Sequence, residues 1–130
     1  MKAMEIIDKV EAALLKQGEK SGEWEREDFK CLYRDSQGRR CAVGWLFREE
    51  DYSPHMEGIG IRGLFEDYDL SYIVPDDMDE EPALILLYDL QTIHDVRDVA
   101  SWPQEFAKLR QKCNSVTVGV TDNSNASVTP

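Results

Sequence analysis

Apolar side chains recur at three- and four-residue spacing from Ala3 to Gln17, with Ala3, Ile6, Ile7, Val10, Ala13 and Leu14 on one side. Glu5, Asp8, Lys9, Glu11 and Lys16 point elsewhere, which is the pattern of an amphipathic helix with one face in a core. Gly18 and Gly22 end it, because glycine tolerates the left-handed conformation that closes helices. A second stripe, Ala83, Leu86, Leu87, Leu90, Ile93 and Ala100, predicts a helix from Pro82 to about Asp98, with acids before Pro82 suiting its positive end. Ser101 with Gln104 in the capping-box position opens a further helix that turns Phe106, Leu109 and Cys113 inward. A short helix is expected over residues 61–68 and another near Ala42.

Between the first two stripes, Phe29 to Arg34 and Arg39 to Val43 flank Asp35-Ser36-Gln37-Gly38, a composition that suits a type I turn and predicts a β-hairpin with Phe29, Cys31 and Tyr33 on its packed face. The fold class is therefore α+β: one helix-rich domain of about four helices with a small antiparallel hairpin. Its 130 residues suffice for one core without metal or disulfide staples. The globular part is drawn at 1–114. Residues 115–130 form a polar tail, partly ordered at most, or an edge strand built on Val116, Val118 and Val120.

Three cysteines without a C-x-x-C pair, and an opening in charged amphipathic sequence, read as a reduced cytoplasmic protein. The longest apolar run, Ala83 to Tyr88, falls short of the ~20 residues that cross a bilayer, so no membrane association is expected. The net charge of −11 repels phosphate backbones, which argues against direct nucleic-acid binding and for a partner with a basic surface. The acids concentrate at Asp76, Asp77, Asp79, Glu80 and Glu81, within a stretch from 64 to 81 that holds no Lys or Arg.

Two groups of residues are candidates for chemistry. Cys41, at a strand-to-helix junction, is a possible nucleophile served by His94 or His55, since a thiolate needs a nearby base to form at neutral pH. A buried small residue is the plainer reading of Cys41, and a core-edge histidine bonded to backbone the plainer reading of His94. Asp95 sits about 100° around the helix from His94, poor geometry for a direct pair. No two of Cys31, Cys41, His55, His94 and Cys113 have the short spacing of structural zinc sites, so neither metal nor cofactor is expected. Arg34, Arg39 and Arg40 form a basic cluster that either holds an anion or bridges acids of the same fold. An alternative pocket would combine Cys41, His55, Glu57 and His94 with Arg39 or Arg40 on an anionic ligand.

The segment Gly38-Arg39-Arg40-Cys41-Ala42-Val43-Gly44-Trp45-Leu46, a G-x-x-C-A-V-G-x-L motif followed by Asp51-Tyr52-Ser53-Pro54-His55-Met56-Glu57-Gly58, resembles small proteins encoded by bacteriophages and prophages. Leu90-Gln91-Thr92-Ile93-His94-Asp95 and Trp102 are similar too. The resemblance implies a phage protein acting in bacterial cytoplasm and carries over no catalytic residue. The leading expectation is an acidic, non-enzymatic protein that inhibits a host defence or nucleic-acid-handling factor. The alternative is a small enzyme or a protein that sequesters an anionic ligand. A homodimer is compatible with the open edges of a lone hairpin.

Overall fold

The structure, a computed structural model, describes residues 1–122. Among them are four α-helices and one two-stranded antiparallel sheet: α1 (Ala3–Gln17), β1 (Gly22–Glu25), β2 (Asp28–Cys31), α2 (Ile61–Asp67), α3 (Glu80–Val96) and α4 (Trp102–Asp122). This is the α+β, helix-rich single domain that the apolar periods imply.

Helix α1 packs on α4, α4 on α3 and α3 on α2, so the three long helices share one core. Ile7, Val10 and Leu14 of α1 meet Leu87 and Leu90 of α3 and Phe106 of α4 there, all fully buried. Each such side chain contributes about 1.5–3 kcal/mol on leaving water. Trp102 is fully buried as well, and its indole Nε1 donates to the Ile93 carbonyl at 3.0 Å, tying the start of α4 to the end of α3. Gly18 takes the expected left-handed conformation, φ 72°, and its N–H closes α1 on the Leu14 carbonyl. Helix α3 begins at Glu80 with Asp79 before it, two residues earlier than the stripe implied, and Ala100 lies beyond its end and exposed. Ser101 lies in a short 3₁₀ turn, where its hydroxyl donates to the Asp98 carbonyl.

The hairpin lies one strand earlier than expected. Residues 28–31 pair with 22–25, in register Gly22 to Cys31 and Glu25 to Asp28, while 33–34 and 40–41 make only an isolated bridge between Arg34 and Arg40. Two local facts decide this. Gly22 lets the strands close, since a Cβ there would lie 2.3 Å from the Lys30 carbonyl oxygen. Arg26 accepts a left-handed φ of 61° in the two-residue loop, a place where Asn or Gly is the usual marker. The Asp35–Gly38 turn does form, with the Gly38 N–H on the Asp35 carbonyl at 3.1 Å and Gly38 at φ 81°. It closes a loop, not a ladder.

Instead of a helix near Ala42, two short 3₁₀ turns occupy Val43–Trp45 and Glu49–Asp51. Helix α4 continues past Asn114, so the backbone at Val116, Val118 and Val120 is helical and not an edge strand. Extending an existing helix costs far less than nucleating a new element, which favours this outcome. The remainder of the expected tail, 123–130, lies outside the described residues. Among the described residues, no helix is long and apolar enough to cross a membrane.

Candidate functional site

The G-x-x-C-A-V-G-x-L segment folds into a packed knot. Cys41 is fully buried, and its Sγ accepts the Gly44 N–H at 3.3 Å. Gly44 is needed for a close approach, because a Cβ there would stand 2.1 Å from the Tyr33 carbonyl oxygen. Gln91 of α3 accepts the Val43 N–H at 3.1 Å and so joins the knot to the helix. Burial pushes the Cys41 thiol up to about 12, although bonds from Gly44 and Gln91 pull the other way. A thiol held that far above neutrality keeps its proton, which removes the activated state a nucleophile requires.

His94 and Asp95 are in direct contact, contrary to the helical-wheel expectation. His94 Nδ1 lies 2.6 Å from Asp95 Oδ1, and His94 Nε2 accepts the Ser21 backbone N–H at 2.9 Å. Short rotation of two adjacent side chains toward each other covers the offset that the backbone angle suggests. Since Nε2 is the acceptor, the proton is on Nδ1 and is donated to Asp95. Gln91 Nε2 donates to the same carboxylate oxygen at 3.1 Å, and the Lys20 ammonium reaches the Asp95 carbonyl. The network pins the base of the hairpin to the last turns of α3. His94 is fully buried and stacks on Trp102, with ring centroids 5.8 Å apart.

Cys31, at the end of β2, completes a group with His94 and Asp95 whose donor atoms lie within 4.8 Å of one another. Its thiol is pushed up to about 12, first by burial and then by the Asp95 carboxylate, to which it hydrogen-bonds. The spacing suits a metal ion, but the protons do not. A cation would have to displace both the Nδ1 proton and a tightly held thiol proton, while Nε2 stays occupied as an acceptor and cannot take up the proton that Nδ1 gives up.

The residues of the alternative pocket are dispersed among separate tasks. Glu57 accepts the backbone N–H groups of Tyr33 (2.9 Å) and Arg34 (3.1 Å) and the Tyr52 hydroxyl (2.6 Å), anchoring the 51–60 loop to the strand-like 33–34 segment. His55 is exposed in a 3₁₀ turn at Pro54–Met56. Arg39 holds Asp35 at 2.6 Å and reaches Glu19, while Arg34 and Arg40 share the carboxylate of Glu49 at 2.8 and 2.6 Å. Arg34 also lies over the Tyr52 ring and Arg40 over Trp45. The basic cluster thus bridges acids of its own fold.

Asp35 is the hub of this region. Burial alone would raise its carboxyl, but donors from Gly22, Arg39 and Gln37 together outweigh it and hold the group below its ordinary value.

The acids of 76–81 divide in two. The Asp76 carboxylate accepts the amino group of Met1 at 3.0 Å, and Asp77 accepts the Ala3 N–H at 2.9 Å, so both serve the start of α1. Glu81 pairs with Arg62 of α2. Asp79 and Glu80 are exposed and have no ion-pair partner among the described residues.

The outer face of α3 holds a feature that the apolar stripe conceals. Ile85 and Tyr88 of α3 are 48% and 64% exposed. Ile85 lines a groove of about 270 Å³ toward α4, with Met78, Pro82 and Leu109, and a second of about 410 Å³ toward α2, with Ile61 and Leu84. In the sequence these two positions merge into the run 83–88; only their helical phase, off the stripe of Ala83, Leu87 and Leu90, marks them as outward-facing. Comparison with known proteins returns no match: no family model, no curated protein and no solved structure is significantly similar to the chain.

Proposed function

We propose that the chain is an acidic binding protein that docks, through the negatively charged surface around Asp79 and Glu80, on a basic surface of another protein. The observation that carries this reading is the pair Asp79 and Glu80, exposed side by side at the rigid start of α3. Among the described residues every arginine except Arg26 is paired with an acid of the same chain, whereas Asp79 and Glu80 remain uncompensated at the exposed start of α3. Free carboxylates on a rigid helix end accelerate encounter with a cationic patch and can occupy positions that phosphates would take. The more specific form, which rests on the resemblance of residues 38–46, 51–58, 90–95 and Trp102 to phage proteins, is an inhibitor of a bacterial host factor that handles nucleic acid or serves in defence.

The test is retention of proteins from bacterial lysate on immobilised chain at low and at high salt, compared with the Asp79→Lys/Glu80→Lys variant. The reading requires a partner that is held at low salt, released at high salt and lost by the variant. A partner held equally well by the variant would overturn it. Asp76 and Asp77 are left intact, since they support α1.

A further inference from the structure

The geometry points to the outer edge of β2 as a self-recognition site, on which a second copy of the chain lays its own β2 antiparallel to form one four-stranded sheet. This concerns the hairpin alone and stands apart from the acidic-surface reading. Residues opposite each other in an antiparallel pair alternate between exchanging both backbone bonds and exchanging none. The Leu32 N–H on the Ser21 carbonyl, at 3.2 Å, fixes the phase of this ladder. Glu23 with Lys30 and Glu25 with Asp28 therefore bond inward, while Gly22, Trp24, Phe29 and Cys31 aim their N–H and C=O groups outward. On β1 that edge is capped, since the Gly22 N–H lies on the Asp35 carboxylate at 3.1 Å and its carbonyl takes Arg39 at 3.3 Å. On β2 the outward groups of Phe29 and Cys31 meet no other segment among the described residues. An edge of this kind accepts a further strand, and a lone hairpin gains most from one.

The side chains select both the occupant and the register. Two β2 strands related by a two-fold axis can mate their outward groups with the axis at residue 28, 29, 30 or 31. At Asp28 or at Lys30, like charges face each other. At Cys31, Phe29 would have to bond Tyr33, whose N–H is already on Glu57 at 2.9 Å and whose carbonyl takes the Cys41 N–H at 3.3 Å. At Phe29 every term agrees. Phe29 exchanges both backbone bonds with its copy, and Lys30 of each chain faces Asp28 of the other. Both residues are exposed, and neither has an ion-pair partner among the described residues. On the other face of the strand, Trp24 is 71% exposed and meets Phe29 edge to face, with centroids 5.2 Å apart. Pairing at Phe29 extends these two rings into a row of four across the sheet, the kind of cross-strand contact that stabilises ladders. Asp28-Phe29-Lys30 is thus its own complement when read antiparallel, which singles out a second copy among possible strands.

The net charge of −11 opposes self-association at long range, so the test is sedimentation equilibrium of the full chain at about 0.15 M salt, where that repulsion is screened. A reversible monomer–dimer equilibrium is expected. Lys30→Glu should raise its dissociation constant roughly tenfold or more, because symmetry places the substitution in two pairs at once. The exchange Asp28→Lys/Lys30→Asp should restore the parent value to within about threefold, since it rebuilds both pairs and leaves one attraction and one repulsion across each hairpin, as before. Amide exchange supplies a readout on the unmodified chain: the Phe29 N–H should slow as concentration rises, while Lys30, bonded inside the hairpin, should not change. A chain that stays monomeric up to about 1 mM would overturn the inference. So would a dimer indifferent to Lys30→Glu, a charge exchange that fails to restore it, or a Phe29 amide that exchanges equally fast in monomer and dimer. A dimer dissolved by Ile85→Glu and not by Lys30→Glu would move the contact to α3 and sink the strand pairing.

Discussion

The base of the hairpin and the outer face of α3 use opposite chemistry. At the base, Ser21, Asp35 and His94 are polar and buried, and each is met by partners from distant segments. On α3, Ile85 and Tyr88 are apolar and exposed on the outer face. Burying polar groups is tolerated only when their bonds are made, so the first region stores its chemistry in holding loops together. Exposed apolar area has no such internal employment. Cys41, His94 and Asp95 make bonds that hold the hairpin and the 41–45 segment on α3, whereas Ile85 and Tyr88 make no comparable contribution to the fold.

The most damaging change should be Gly44→Ala. The new methyl would collide with the Tyr33 carbonyl, and a backbone atom cannot rotate away, so a loss of about 3 kcal/mol is expected, the upper end for overpacking. In a domain of this size that lowers the thermal midpoint by roughly 10 °C or more, readable by calorimetry. A midpoint within a degree or two of the parent would mean that the knot is looser than its geometry.

Asp35→Asn should follow closely, at about 2 kcal/mol at neutral pH, because it removes the charge that the Arg39 guanidinium and the backbone N–H groups of Gly22, Gln37 and Arg39 face. The pH dependence has a definite sign. The folded carboxyl lies below its ordinary 3.8, so its contribution is complete above that value and is lost as pH falls through the folded pKa. Urea midpoints of parent and variant should therefore differ at pH 7 and converge in acid below about pH 4. A gap that persists unchanged in acid would show that the variant disturbs packing and not charge.

His94→Phe keeps the stack on Trp102 but leaves the Ser21 N–H without an acceptor and takes one of its donors from Asp95, at a cost of about 1–2 kcal/mol. Amide exchange should quicken at Ser21 before it quickens in the middle of α1; simultaneous change would mean that hairpin and helices open together. On the opposite face, Tyr88→Ser should move stability by no more than about 0.5 kcal/mol, since the ring is already mostly in water. A larger loss in chemical denaturation would show that Tyr88 belongs to the fold.

These contrasts follow what the sequence exposes and what it hides. The helices are legible because their apolar residues repeat with a local period, and the buried set Ile6, Ile7, Val10, Leu14, Leu87, Leu90 and Phe106 follows from it. The hairpin register was not, because Arg26 stands in a loop position that normally announces itself with Asn or Gly, whereas Asp35–Gly38 carries stronger turn signals and forms only a loop closure. In the sequence Trp102 stands out only as part of a motif, although it anchors α4 in the core. The contact between His94 and Asp95 and the role of Glu57 depend on side-chain rotation and on partners more than twenty residues away, information that periodicity does not contain. The division of the 76–81 acids between holding α1 and facing solvent is equally non-local.

The three tryptophans stand at three depths: Trp24 is 71% exposed on the hairpin, Trp45 is half-buried beneath Arg40, and Trp102 is fully enclosed against an imidazole. Their emission therefore divides the molecule optically. Trp24 already emits from water, so melting of the hairpin alone barely changes its colour, and acrylamide quenches it in the native state. The red shift that accompanies denaturation originates in Trp102 and Trp45, which makes intrinsic fluorescence a report on the junction of α3 and α4 and on the 43–45 turn, and nearly blind to the strands.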